Sequence, residues 1–487
     1  MNALERTDTD TDAITKSLMK VLNTQREDYL NEGHVSAEVR IDRLRRGMTS
    51  VHRFQDKLVD ALNTDFSCRP RELSMMTDVA GSIGPFKSAI KQVRGWMRPE
   101  KRKSMFPLGL FGGRSRIEYQ PLGVVGVISP WNFPVNLTFG PLADILGAGN
   151  RCMIKPSEFT PSVSDVMAEL VSDAWEEQEV AIFTGGPEVG AAFSGLPFDH
   201  LLFTGATSIA RHIMAAAAKN LVPVTLELGG KSPVLISRSA DIKTSISRIM
   251  LGKTMNAGQI CLAPDYMMVP EEKLDEVISE IKLAVAGMYP TMLKNPEYTS
   301  VINDRHFQRL QENLADAAEK GGEVISLAPA GEDFSKQDGT RKIAPTVVNN
   351  ATDDMRILQE EIFGPLLAIK TYKDFGETIR YVNSQPRPLA LYYFGSDANE
   401  ERNVLDRTTS GGVCLNDVIM HIMQEDLPFG GVGPAGMGSY HGHDGFKTFS
   451  HAKAIYKQAK IDVAGMAGMR PPYGPKTQST IKSQIKL

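Results

Sequence analysis

Apolar and polar positions along the chain divide it into helical and extended stretches. Over residues 36–64, Ile41, Leu44, Met48, Val51, Leu58, Val59 and Leu62 recur at three- and four-residue steps among charged residues, which predicts a long amphipathic helix. Three short, mainly apolar runs follow at Val124–Ile128, Arg151–Ile154 and His200–Phe203, each leading through turn residues into a helix-like segment. Two of those segments are Leu137–Leu146 and the alanine-rich Ser208–Asn220. Such alternation predicts a parallel α/β sheet. Val234–Ile236 opens a second α/β region that reaches about residue 430, with Val413–Asn416 as a late strand, so two lobes are expected to meet near Glu227–Lys231. Between Arg98 and Arg116 the chain is basic and carries Gly and Pro, and Ile117–Gln120 then alternates like an edge strand, which reads as a connector or arm. After Ile455 the run Arg470-Pro471-Pro472-Tyr473-Gly474-Pro475 predicts a tail without regular structure.

Length agrees with two lobes, since 487 residues exceed the size at which one core stops growing. The net charge of −4, from 54 basic and 58 acidic residues, gives no general attraction to nucleic acid or anionic lipid. Small soluble partners are favoured. The apolar runs are far shorter than the ~20 residues that span a bilayer, and Thr7-Asp8-Thr9-Asp10-Thr11-Asp12 stands where an export signal needs an apolar core. Cys68, Cys152, Cys261 and Cys414 are widely spaced, which argues against a disulfide framework and for a reducing, cytoplasmic location.

Several residues offer chemistry. Cys261, in Asn256-Ala257-Gly258-Gln259-Ile260-Cys261, is either a small buried hydrophobe or a nucleophile. As a nucleophile it must lose its proton, and at the start of a helix its own N–H would face a carbonyl oxygen under attack. Glu227 lies between apolar residues in Val224-Thr225-Leu226-Glu227-Leu228, where burial would raise its pKa toward that of a general base. Asn132, in Ser129-Pro130-Trp131-Asn132-Phe133-Pro134, can cap the next helix or donate to an oxyanion. Lys155 and Glu158 follow the second strand, where they are a solvated loop pair or a grip on a ribose diol. The turn Thr204-Gly205-Ala206 opens a helix whose N–H groups can face a phosphate, although it lacks a Gly-x-Gly-x-x-Gly pattern. Glu361 and Phe363, in Glu360-Glu361-Ile362-Phe363-Gly364-Pro365, end a helix or hold a ribose and a flat ring. Gly430-Gly431-Val432-Gly433-Pro434-Ala435-Gly436 reads as a loop lining a cleft. His441-Gly442-His443-Asp444 has no complementary ligand cluster, so no metal is expected.

Together, in this order, these runs resemble the NAD(P)-dependent aldehyde dehydrogenase superfamily over nearly the whole chain. The likeness is greatest to its class-three branch and, within that, to the bacterial coniferyl aldehyde dehydrogenases. It is carried by Pro223–Pro233, Ala263-Pro264-Asp265-Tyr266 and Gly436-Met437-Gly438-Ser439-Tyr440-His441-Gly442. The resemblance implies the α/β aldehyde dehydrogenase fold: a Rossmann-like cofactor domain from residues 1–102 and 122–229, an α/β catalytic domain from 230–434, a β arm from 103–121 and 445–460 that builds a homodimer, and a tail from 461–487. It further implies Cys261 as nucleophile, Glu227 as base and Asn132 as oxyanion donor. Trp131, Lys155, Glu158, Thr204, Gly205, Ala206, Glu361 and Phe363 would bind the cofactor. Glu158 favours NAD, with NADP possible because Lys155 offsets part of the repulsion on a 2′-phosphate. The implied reaction turns an aldehyde, aromatic or medium-chain with coniferyl aldehyde foremost, into its acid through a thioester. A CoA-acylating enzyme and a non-catalytic protein on the same fold are the alternatives, and both fit Glu227 and Cys261 less well. The chain departs from the family pattern at the phosphate turn, where Ala206 and Ala210 stand in place of the usual Ser and Gly, and a changed grip on diphosphate is expected there.

Overall fold

A computed structural model describes residues 3–337 and 339–486. Its smallest sheet is three-stranded. In it β2 (Arg114–Pro121) pairs on one side with β1 (Glu100–Arg102) and on the other with β16 (Ser450–Lys457), both antiparallel. The sheet therefore begins at Glu100, three residues before the arm boundary read from the sequence.

A six-stranded sheet contains β3 (Val124–Ile128), β4 (Arg151–Lys155), β5 (Val180–Ile182), β6 (His200–Gly205), β7 (Val224–Leu228) and the short β15 (Gly436–Met437). The spatial order is β15-β7-β6-β3-β4-β5, parallel except where β15 runs against β7. The order reverses between β3 and β6, and ligands of open α/β sheets bind outside the carboxyl ends at such a point. The first four residues of β3 and all of β4 are buried, as continuous apolar strands covered on both faces must be.

The third sheet comprises β8 (Pro233–Ile236), β9 (Tyr266–Pro270), β10 (Glu323–Ser326), β11 (Thr346–Asn349), β12 (Leu366–Tyr372), β13 (Ala390–Phe394) and β14 (Gly412–Leu415). Its order is β10-β11-β12-β9-β8-β13-β14, with only β10 antiparallel. The loops leading into β8, β9 and β12 carry Lys231, Cys261 and Glu361. The amino ends of this sheet thus face the carboxyl ends of the six-stranded one, and the candidate chemistry lies between them.

The amphipathic helix spans Ala37–Phe66 and buries Ile41, Leu44, Val51, Leu58, Val59 and Leu62. The Ser36 side chain caps it by accepting from the Val39 N–H at 3.3 Å, a contact of about 1 kcal/mol. Left-handed Ser67, φ 65°, ends it.

Two elements escaped the sequence pattern. A helix occupies Ala3–Glu32, in which Leu18, Val21, Leu22 and Gln25 are buried. It is pinned by Arg151, which donates to Asp28 and Glu32 at 2.5 Å each. The proline-rich tail, expected to be irregular, contains the helix Pro475–Gln484. Pro475 opens that helix, where a missing N–H costs nothing, and the Thr477 and Thr480 hydroxyls tie it back to the Gly468 and Ala467 carbonyls. Among the described residues no helix is long and apolar enough to cross a membrane.

Candidate active site

Cys261 does not open a helix. It stands in a turn that follows the single 3₁₀ turn Met255–Gly258, in which Asn256, Ala257 and Gly258 are all left-handed, with φ of 50°, 51° and 70°. The Gly258 position admits no side chain, because a Cβ there would collide with the Gly364 carbonyl oxygen. Buried Gln259 holds this turn: its amide donates to the Asn256 and Ser300 carbonyls at 2.9 and 3.0 Å, and its oxygen accepts from the Ile302 N–H at 3.0 Å. The Cys261 and Leu262 backbone N–H groups favour the ionised sulfur, against the larger effects of burial and charge.

The Cys261 thiol lies beside the Glu227 carboxylate on β7, and each shifts the other's titration. Glu227 is only 1 % exposed, and its Oε1 has no partner. Burial, and then the neighbouring charge of Glu361, pushes its pKa up to about 8, while the neighbouring thiol pulls the other way. Burial and the two carboxylates likewise hold the Cys261 thiol well above the ordinary cysteine range. Below a pH of about 8 the pair therefore rests as a neutral thiol beside a protonated carboxyl, and Glu227 must lose its own proton before it can take one from the thiol.

Asn132 is buried at the end of the β3 turn, its side-chain amide donating to the Gln259 carbonyl at 3.2 Å. A carboxamide has a second N–H to offer. The Asn132 backbone carbonyl accepts from Arg69 at 2.7 Å and from the Asn256 amide at 3.2 Å. Arg69 is fully buried against Asp78 at 2.6 Å, and Asp78 in turn accepts from the Val135 N–H at 3.1 Å. This buried pair sets the position of the Trp131–Val135 turn, and removing one member would leave an uncompensated charge worth about 3–5 kcal/mol.

The Glu361–Phe363 loop is gripped from both sides. Asp265 accepts from the Ile362 N–H at 2.8 Å and pairs with Lys231, whose ammonium also donates to the Ile357 and Glu360 carbonyls at 2.7 and 2.8 Å. Arg309 donates to the Glu361 and Ile362 carbonyls at 3.2 and 2.7 Å. The Glu361 side chain lies over Gly229, where a Cβ would fill its place, and its Oε1 is buried without a partner. Burial raises its pKa to about 7, opposed by the Gly230 N–H. Phe363, left-handed at φ 43°, meets Trp131 edge to face with ring centres 5.3 Å apart. His306 closes the group 5.2 Å from Trp131, and burial lowers its pKa to about 4, so it is neutral.

Along the carboxyl end of the six-stranded sheet, Lys155 pairs with Glu158 at 3.0 Å. Thr204 is adjacent to Glu227 across β6 and β7, and its hydroxyl is buried and unpaired. Ala206 begins the helix Thr207–Ala218, whose first turn has no side-chain cap and is open to an anion. The Thr207 hydroxyl is taken by the Pro434 carbonyl at 3.1 Å. Ala210, in the first turn of that helix, is buried in an apolar cluster with Phe193, Phe198 and Leu201. Orphaned Thr204 and Glu361 oxygens, an open helix start and a Lys–Glu pair form a donor and acceptor set that fits a dinucleotide.

The family model for the aldehyde dehydrogenase family matches residues 12–455. The chain belongs to the aldehyde dehydrogenase family. It is 53% identical over 459 residues to a coniferyl aldehyde dehydrogenase of Pseudomonas, covering 94% of each chain. A substrate-bound AldH structure from Staphylococcus aureus superposes with a TM-score of 0.89 at 34% identity, over 96% of this chain and 99% of that one. An aldehyde dehydrogenase of Mycobacterium tuberculosis in complex with NAD+ gives 0.80 at 25%, over 91% and 90%. This aldehyde dehydrogenase oxidises an aldehyde with NAD(P) as acceptor.

Cys261, Glu227, Asn132, Glu361, Phe363 and Trp131 come together where the two large sheets meet, and Lys155, Glu158 and Thr204–Ala206 lie along the carboxyl end of the six-stranded sheet. It adds Arg69, Asp78, Gln259, Lys231, Asp265, Arg309 and His306. Lys231 and Asp265 stood inside runs already singled out, whereas Arg69 and Arg309 have no local signal in the sequence. Among the described residues no group of three or more His, Cys, Asp or Glu is placed to hold a metal ion.

Proposed function

We propose that Cys261 is the nucleophile, Glu227 the base of both half-reactions and Asn132 the oxyanion donor in the oxidation of an aryl or cinnamyl aldehyde to its acid. The placement of the Cys261 thiol beside the buried carboxyl of Glu227 carries this reading. As the sulfur adds to the carbonyl carbon, Glu227 takes the thiol proton, and the Asn132 amide and Cys261 N–H face the alkoxide. NAD(P), when bound, would supply the hydride acceptor that lets the alkoxide collapse. Cys261 then holds the acyl group as a thioester, and Glu227 takes a proton from the water that cleaves it. Lys155 and Glu158 would hold the adenine ribose, Glu361 the nicotinamide ribose, Phe363 and Trp131 the nicotinamide side, and Thr204, Gly205 and Ala206 the diphosphate. Glu158 faces any 2′-phosphate with negative charge and supports NAD over NADP. The domain division is read as a cofactor lobe of residues 1–102 and 122–229, a catalytic lobe of 230–434, and the arm, with the strand at Glu100–Arg102 assigned to the arm.

The curated relative's substrate favours coniferyl aldehyde, a cinnamyl aldehyde. In a panel of aliphatic, benzyl and cinnamyl aldehydes, kcat/KM is expected to be highest for cinnamyl substrates and higher with NAD than with NADP. A preference for short aliphatic aldehydes or for NADP overturns that part of the reading.

A homodimer is proposed on the arm. The outer edge of β16 is open, and Met105, Phe106 and Leu110 on the neighbouring loop are exposed, Phe106 to 79 %. Open strand edges and grouped exposed apolar side chains are surfaces that proteins cover. Light scattering is expected to give twice the chain mass, and a monomer would refute the pairing. Free thiols at all four cysteines favour a reducing, cytoplasmic setting.

A further inference from the structure

The Gln259 carbonyl lies two residues before Cys261, and the Asn132 side chain, from the turn after β3, donates to it at 3.2 Å. A third residue braces this contact from both ends. The side-chain amide of Asn256 donates to the same Gln259 carbonyl at 3.2 Å and to the Asn132 backbone carbonyl, also at 3.2 Å. Arg69 donates to the Asn132 carbonyl as well, at 2.7 Å. The Asn256 backbone carbonyl accepts in turn from the Gln259 side chain at 2.9 Å and from its backbone N–H at 3.1 Å. Asn132 is 2 % exposed and Asn256 and Gln259 are 0 % exposed, so water does not compete for these bonds. A carbonyl oxygen accepts two hydrogen bonds and a carboxamide nitrogen donates two. Both carbonyls and the Asn256 nitrogen therefore have their full complement.

Asn256 meets two demands at once. Its backbone is left-handed, with φ 50° and ψ 31°, a conformation that Asn and Asp tolerate better than other residues with a side chain. Its amide faces two carbonyl oxygens, which turns the nitrogen toward them, since an oxygen in that place would be repelled. The amide oxygen is left buried without a partner. An orphaned buried acceptor is destabilising. A residue needed only to turn the chain would be glycine, which takes left-handed angles freely and buries no such oxygen. What the side chain contributes is thus the hold of its nitrogen on Asn132 and Gln259. One end of that hold is the main chain from which the Asn132 side chain springs, and the other is the carbonyl on which it rests. With one N–H of the planar Asn132 amide given to Gln259, the direction of its second N–H is set.

We propose that Asn256 is a positioning residue that fixes the free N–H of Asn132 against the carbon attacked by Cys261. It acts through Asn132 and itself makes and breaks no bond in the reaction. The inference rests on Asn132 being the oxyanion donor. Negative charge grows on the carbonyl oxygen both when sulfur adds to the aldehyde and when water adds to the thioester, so a displaced Asn132 slows both steps. Substrate and cofactor bind before that charge develops, and their binding is left as it was.

Asn256→Gly and Asn256→Asp test it in the full-length enzyme. Glycine keeps the left-handed turn and removes the amide, whereas aspartate keeps the shape and puts an oxygen where the nitrogen was. Both are expected to lower kcat and kcat/KM together by about a hundredfold. KM, and the NAD dissociation constant read by quenching of protein fluorescence, are expected to stay within about threefold of the parent. The deciding measurement is a double-mutant cycle with Asn132→Ala, which alone is expected to cost about 10² to 10³ in kcat. In that background there is no amide left to position, so either Asn256 substitution is expected to change kcat by less than about threefold. Losses that multiply in the double variants would overturn the inference, as would a parent-like kcat in either single variant. If the glycine variant does not fold, the aspartate variant decides through the same cycle. The two levels separate cleanly: a normal kcat in Asn132→Ala refutes the oxyanion assignment, whereas a slow Asn132→Ala on which the Asn256 loss multiplies in full refutes only the positioning role.

Discussion

Cys261→Ala is expected to abolish NADH formation from every aldehyde, with kcat/KM falling by on the order of 10⁴ to 10⁶ while NAD binding stays within a few-fold. Loss of a covalent nucleophile removes the route through the thioester and leaves only binding and the oxyanion donors, a loss of this order in enzymes whose groups act as a unit. The substitution leaves the turn intact, because the Gln259 amide and the left-handed Asn256–Gly258 backbone hold it without help from the sulfur. The folded variant is therefore a fair test, and steady NADH production by it would end the assignment. Removing the thiol also removes a neighbour that lowers the Glu227 pKa, so Glu227 is expected to titrate higher in this variant than its value of about 8.

Glu227→Gln is expected to slow both formation of the thioester and its hydrolysis. The amide keeps the size of the carboxylate but cannot take a proton from water, and loss of a general base costs about 10² to 10⁴ in rate. In the parent, hydrolysis should fall as pH drops below about 8, because Glu227 must be ionised to accept a proton, and the variant should lose that dependence. A second readout follows from linkage. The folded carboxyl binds its proton up to a pH near 8, whereas the unfolded one releases it near an ordinary pKa of about 4.3. Between those values the native state holds more protons than the unfolded state, so stability declines as pH rises through the window. Glu227→Gln should accordingly raise Tm at pH 8 and leave it little changed near pH 4. A variant that hydrolyses the thioester normally, or that melts lower at pH 8, would contradict the role and the buried charge respectively.

Where strands are wholly apolar and helices amphipathic, the architecture could be read directly. Val124–Ile128 and Ala37–Phe66 emerge where their patterns place them, because side-chain period and burial are one physical fact. The first helix was invisible since Leu18, Val21 and Leu22 make only a short apolar stripe, and Arg151 supplies its attachment from far along the chain. The tail helix escaped because proline was read as a breaker, although at a first helical position it is compatible with the helix. In the site, Glu227 and Asn132 could be found because a carboxylate or amide inside an apolar run is conspicuous. The supports Arg69, Arg309 and Asp78 could not, because their meaning lies in carbonyls and amides that only folding brings to them. The thiol environment also differed from the expected one, with two carboxylates in place of a cation or a helix start.

Those two carboxylates bear on durability. Peroxides and alkylating agents attack the thiolate, and their rates follow the fraction of sulfur that is ionised. A nucleophile that stays protonated at rest is nearly inert to them, and becomes reactive only during the moment in which Glu227 relieves it of its proton. If Cys261 and Glu227 have the proposed roles, an enzyme whose substrates are themselves electrophiles carries its reactive sulfur in a sheathed form, and the acid on β7 governs how long that sulfur survives between turnovers.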